Sequence, residues 1–199
     1  MSLTIHLTGY GKEYFRKDLI KYINEELEKC NLPLYQNKHI KLPNKDELPS
    51  LSWRWRELHR LQFIAIQLLS NPRWKPEELA FRQKASQSCY QKFFDENKSH
   101  LICCGEGYNG IFVPVKFPKN ALENCNHHLC YFGSSFNLRD ELKIMAYKLG
   151  FDLKKYNPDI DLDTAVEKDD LLLHEKFLMF QLYNMTLKSI EYNLIIEFN

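Results

Sequence analysis

Surplus charge of either sign is missing from this chain: 27 Lys and Arg stand against 26 Asp and Glu, a formal charge of +1. A protein that grips nucleic acid by its phosphates needs clustered, unbalanced Lys and Arg, so nucleic acid is not an expected partner. No apolar run approaches the roughly 18 residues that a membrane-spanning helix needs. The opening, MSLTIHLTGYGKEYF, lacks the basic start and long apolar core of an export signal. A soluble, cytoplasmic protein that does not engage membranes is therefore expected. Internal repeats and low-complexity tracts are absent too, and residues 1–199 are expected to form a single domain. Without an export signal, the six cysteines do not read as a disulfide framework. Cys30 and Cys89 fall at apolar helix positions and read as reduced core residues.

Aromatic residues, by contrast, are plentiful at 14%, enough to fill a core and supply a recognition surface. Leu3, Ile5 and Leu7 alternate with Thr4, His6 and Thr8, the period of a half-buried strand. Leu19, Ile23 and Leu27 are spaced for a helix that ends near Cys30. Residues 31–52, with Pro33, Pro43 and Pro49, form a crossing loop. A central helix begins at Trp53 and stops at Asn71-Pro72, and a third is expected from Pro76 to about Asn97. His100–Cys104 and Ile111–Phe117 look like strands, and Asn109-Gly110 between them is a hairpin signal. Ser134 or Ser135 can cap a helix carrying Leu138, Leu142 and Met145, with Gly150 as its stop. A last helix passes through Leu171, Leu178 and Leu182, and alternation from Ile190 to Phe198 closes the chain as a strand. The class is α+β: a small, mostly antiparallel sheet of N-terminal strand, central hairpin and C-terminal strand, packed against about five helices.

The stretch from Ser99 to Asp140 concentrates reactive side chains, holding four of the six cysteines and three of the seven histidines. Gly105-Glu106-Gly107-Tyr108-Asn109-Gly110 matches a dinucleotide fingerprint in letters only, because Ile111-Phe112-Val113 after it continue as a strand and not a helix. Cys104, Cys125, His127 and Cys130 are a candidate zinc set, yet the one-residue gaps miss the usual ligand spacing. Cys103 or Cys104 with His127 or His128 is a candidate nucleophile and base, but no protease signature surrounds them. Neither a catalytic residue nor a cofactor is therefore expected, with zinc or a thiol active centre as the alternative. His174 shares a helical face with Leu171 and Leu178 and reads as a core or boundary histidine. Asp159, Asp161 and Asp163 alternate, but lack the glycine and distant glutamate of a calcium loop.

Trp53-Arg54-Trp55-Arg56 combines the residue types that dominate protein interfaces. With Tyr108, Asn109, His127 and His128 it makes the candidate partner-binding surface. The runs His6-Leu7-Thr8-Gly9, Tyr14-Phe15-Arg16-Lys17-Asp18-Leu19 and Leu32-Pro33-Leu34-Tyr35, with Gly110 to Pro118 and Gly133-Ser134-Ser135 further on, resemble segments of small uncharacterised bacterial proteins. Those are similar in kind to toxin-immunity proteins. The resemblance implies a bacterial, cytoplasmic protein-binding protein that neutralises a toxin or effector enzyme by occlusion. The alternative is a cysteine-dependent hydrolase or zinc protein built on residues 103–130.

Overall fold

The structure, a computed structural model, describes residues 2–8, 13–36, 49–71, 73–76, 99–103, 110–117, 132–157 and 172–198. In chain order these form β1 (Ser2–Thr8), α1 (Glu13–Lys29), β2 (Ser50–Arg54), α2 (Trp55–Ser70), α3 (His100–Cys103), β3 (Gly110–Val113), β4 (Phe132–Ser134), α4 (Ser135–Lys148), α5 (Leu173–Tyr192) and β5 (Ile195–Phe198). The strands make one sheet in the order β2-β1-β5-β3-β4. Every pairing is antiparallel except β3 with β4. The α+β class and mostly antiparallel sheet expected from the sequence stand; the central hairpin does not. His100–Cys103 is helical, and β3 pairs instead with β4 and β5.

Alternation along the strands divides the core in two, because neighbouring residues point to opposite faces. Leu3, Ile5, Leu7, Leu51, Phe112, Ile196 and Phe198 pack in one cluster with Leu58 and Leu61 of α2, Leu138 and Leu142 of α4, and Leu178 and Leu182 of α5. Ile111, Val113, Phe132 and Ile195 pack in the other with Ile23 and Leu27 of α1. The sheet therefore lies between α1 on one side and α2, α4 and α5 on the other. Phe112, Phe132 and Phe198 are fully buried, each contributing about 1.5–3 kcal/mol through the surface it removes from water. On the α1 side of β1 and β2, Thr4, Ser50, Ser52 and Arg54 are exposed.

Backbone turns are set by residues suited to them. Gly150 ends α4 at φ +66°, where a side chain would be strained. Asn193 ends α5 at φ 53°, a conformation asparagine tolerates better than most residues. Its side chain donates to the Gln36 carbonyl at 2.6 Å, and its own carbonyl accepts from the Tyr35 hydroxyl at 2.7 Å. The Asn24 side chain bonds both the N–H and the carbonyl of Tyr35. Residues 32–36 are thereby pinned between α1 and the α5–β5 turn.

Candidate functional site

A single turn such as α3 leaves its first amides without partners inside the helix. Ser99 accepts the Ile102 N–H at 3.2 Å through its hydroxyl, the usual role of a serine ahead of a helix. Glu141, reaching across from α4, accepts the other two: the His100 N–H at 2.6 Å and the Leu101 N–H at 3.2 Å. The Ser99 hydroxyl donates to the same carboxylate at 2.8 Å. At the other end of the turn, the Leu101 carbonyl accepts from the Gln62 side chain of α2 at 3.0 Å. A carboxylate distant in sequence thus caps α3 and fixes it to α4.

The His100 side chain completes the cluster. Its Nδ1 accepts the Ser134 N–H at 3.0 Å, so the neutral ring carries its proton on Nε2. That nitrogen lies 2.8 Å from the Asn137 side-chain amide, whose oxygen accepts when turned toward the ring. Ser134 in turn donates its hydroxyl to the Val115 carbonyl at 2.5 Å. Burial lowers the His100 imidazole to about 4. It also pushes the Glu141 carboxyl up to about 7, against the downward pull of the His100 and Leu101 amides and the Ser99 hydroxyl.

A serine nucleophile needs a histidine nitrogen beside its hydroxyl. Here Ser99 donates to Glu141 instead, and both His100 nitrogens are engaged with Ser134 and Asn137. The arrangement can store and exchange protons; it holds no poised nucleophile. The sequence reading missed this cluster because Leu101-Ile102-Cys103-Cys104 is an apolar run that fits a strand as well as a helix. Two signals were there. Ser99 is a cap residue type, and Glu141 lies on the same face of α4 as Leu138, Leu142 and Met145.

Of the expected partner surface, Trp53, Arg54, Trp55 and Arg56 are described, and they divide by side chain. Trp53 turns toward α5, donating Nε1–H to Gln181 at 2.7 Å with its ring 5.6 Å from Phe177. Trp55 is partly buried, 6.1 Å from the His59 ring. Arg54 and Arg56 face solvent, Arg56 lying 3.4 Å from Glu57. Cys103 closes α3, while Cys104, Tyr108, Asn109, Cys125, His127, His128 and Cys130 lie outside the described residues, as do Cys89 and Asp159, Asp161 and Asp163. Among the described residues no group of three or more His, Cys, Asp or Glu could hold a metal, and no helix is long and apolar enough to cross a membrane. His174 is exposed, not at the core boundary; its neighbour Glu175 is the buried residue, 2.7 Å from Arg60.

A family model described as "Putative DNA-mimic protein" matches residues 4–198. The chain belongs to this family. No curated protein and no solved structure matches. Membership overturns the expectation of a toxin-immunity protein and lends no support to a cysteine hydrolase. Aromatic content and a resemblance of kind do not identify what a surface imitates.

Proposed function

We propose that the chain acts as a DNA mimic, occupying the DNA site of a DNA-binding protein partner. The observation that carries this reading is the family match across residues 4–198. Such a partner presents a basic groove evolved for one negative charge per about 1.7 Å of duplex, so a mimic must offer uncompensated carboxylates. The described elements offer few. Glu25 faces Lys21, Glu26 faces Lys29, Asp140 faces Arg139 and Lys143, Asp152 faces Lys155, and Glu191 faces Lys188.

Unbalanced acidity lies in one stretch of sequence. Asp159, Asp161, Asp163, Glu167, Asp169 and Asp170 stand there with Lys168 the lone base. We assign the phosphate-like charge to these residues. A near-neutral whole chain and a locally acidic stretch are compatible, because charges more than about 10 Å apart are screened at ordinary salt. The same balance removes the long-range attraction that a uniformly acidic mimic would exert on unrelated basic proteins.

The test is capture followed by competition. Immobilised chain is exposed to an extract of its host, and the retained protein is challenged with duplex DNA. Retention of a DNA-binding protein that duplex DNA releases supports the reading. A retained protein that stays bound while it also holds DNA overturns it.

A further inference from the structure

A sheet ends in two edges, and each edge strand carries backbone N–H and C=O groups that its single neighbour cannot reach. The two edges of this sheet are built differently. β4 is three residues long and buried at every one, and its Ser134 N–H is taken by His100 Nδ1 at 3.0 Å. β2 has no such cover. It pairs residue for residue with β1 from Ser50 to Arg54, and among the described residues no strand pairs with its other side. Ser50, Ser52 and Arg54 are exposed. The devices that ordinarily blunt an edge within the strand, a lysine, a proline or a bulge, are absent from these five residues. Unmade backbone bonds along a strand are complementary to another extended chain.

We infer that two copies of this chain associate through β2, antiparallel about a two-fold axis at Ser52, joining their sheets into one. Such a contact uses the same patch on both copies and closes on itself. The capped β4 leaves no second edge from which a filament could grow. Self-complementarity of the strand selects a second copy as the occupant. About Ser52, Leu51 stands opposite the second copy's Trp53 on the helix-covered side, an aliphatic–aromatic pair of the kind that stabilises antiparallel strands. Trp53 is only partly buried by its own chain, so it has surface left to cover. On the open face Ser50 stands opposite Arg54, and Ser52 meets its own counterpart. Like charges do not meet. The two Arg54 side chains are separated by the run from residue 50 to residue 54, about 14 Å, beyond the roughly 10 Å over which exposed charges interact at ordinary salt. A whole-chain charge of +1 adds little repulsion. A five-residue strand buries less than the roughly 1,200 Å² of a standard interface, so the dimer is weak and depends on concentration. The pairing stands on the sheet edge and not on DNA mimicry, so either reading can fail without the other.

Sedimentation equilibrium of the full chain, from roughly 10 μM to 1 mM, should show a reversible rise from the mass of one chain toward twice that mass. Ser52→Lys sets two like charges face to face on the axis and should weaken association by about tenfold or more. Ser52→Glu should do the same. An equimolar mixture of the two variants should dimerise where neither does alone, because opposite charges then meet across the axis. Thr4→Lys adds a charge on the same face but one strand in from the edge, and should leave association within about twofold of wild type. All three replacements fall at exposed positions, so their melting curves should match the wild type. A wild type that stays monomeric at about 1 mM would overturn the inference. So would a dimer that Ser52→Lys leaves intact, or lysine and glutamate variants whose mixture stays apart.

Discussion

Replacing Arg60 with Met should convert a tolerated ion pair into an isolated buried charge. The Glu175 side chain is 1% exposed and lies 2.7 Å from Arg60, whose own side chain is 38% exposed. Burial raises the Glu175 carboxyl, Arg60 draws it down, and the nearby Glu57 pushes it up again. Breaking a fully buried pair from one side costs about 3–5 kcal/mol, because the remaining charge keeps its desolvation and loses its compensation. With Arg60 38% exposed and partly screened by solvent, the loss here should be nearer about 2 kcal/mol. The sign with pH follows. With Arg60 gone, the folded carboxyl sits further above its unfolded value, so stability is retained below about pH 4.5 and lost as pH rises through the raised folded value. Urea denaturation of wild type and Arg60→Met at pH 4.5 and pH 8 should therefore show a small difference in acid and the full loss in base. Arg60→Met with Glu175→Leu should recover to within about 1 kcal/mol of wild type, since a well-packed apolar pair replaces an ionic one at little net change. A loss under about 1 kcal/mol at pH 8, or one that does not shrink on acidification, would refute the reasoning.

Other expectations follow from single contacts. Asn193→Ala should lose about 1–2 kcal/mol in thermal unfolding, because alanine resists the φ of 53° there; Asn193→Gly should lose less, forfeiting only the bond to Gln36. Leu178→Ala, at a site with 0% exposure, should cost about 2–5 kcal/mol by urea denaturation with an unchanged slope. The triple replacement Asp159→Asn, Asp161→Asn and Asp163→Asn should weaken partner binding roughly tenfold, if each carboxylate contributes about 0.5 kcal/mol through one ion pair with the partner.

Local pattern carried the parts of the fold where periodicity and punctuation agree. Leu3, Ile5 and Leu7 announced β1, the Leu138–Met145 stripe announced α4, and Gly150 stops that helix as its left-handed φ requires. Short, fully buried elements gave no such signal. Phe132-Gly133-Ser134 is a three-residue strand buried on every residue, so it shows no alternation to detect. β2 was absorbed into the expected helix because Trp53 and Arg54 precede Trp55 without a break. At the C-terminus the alternation of Ile190, Tyr192 and Leu194 mimics a strand, whereas α5 runs to Tyr192. Tertiary packing decides such segments over local preference. The Glu141 cap was hidden for a different reason: its donors lie about forty residues earlier in the chain, and an acidic residue on a helix ordinarily faces water.

A chain that imitates DNA must compete with duplex DNA for one site on the same partner. With the captured DNA-binding protein purified, fluorescence anisotropy of a labelled duplex can be followed as the chain is added. Mutually exclusive binding predicts that the apparent Kd for DNA climbs in direct proportion to the concentration of free chain, without reaching a plateau. A plateau, or a ternary complex of higher anisotropy, would contradict it.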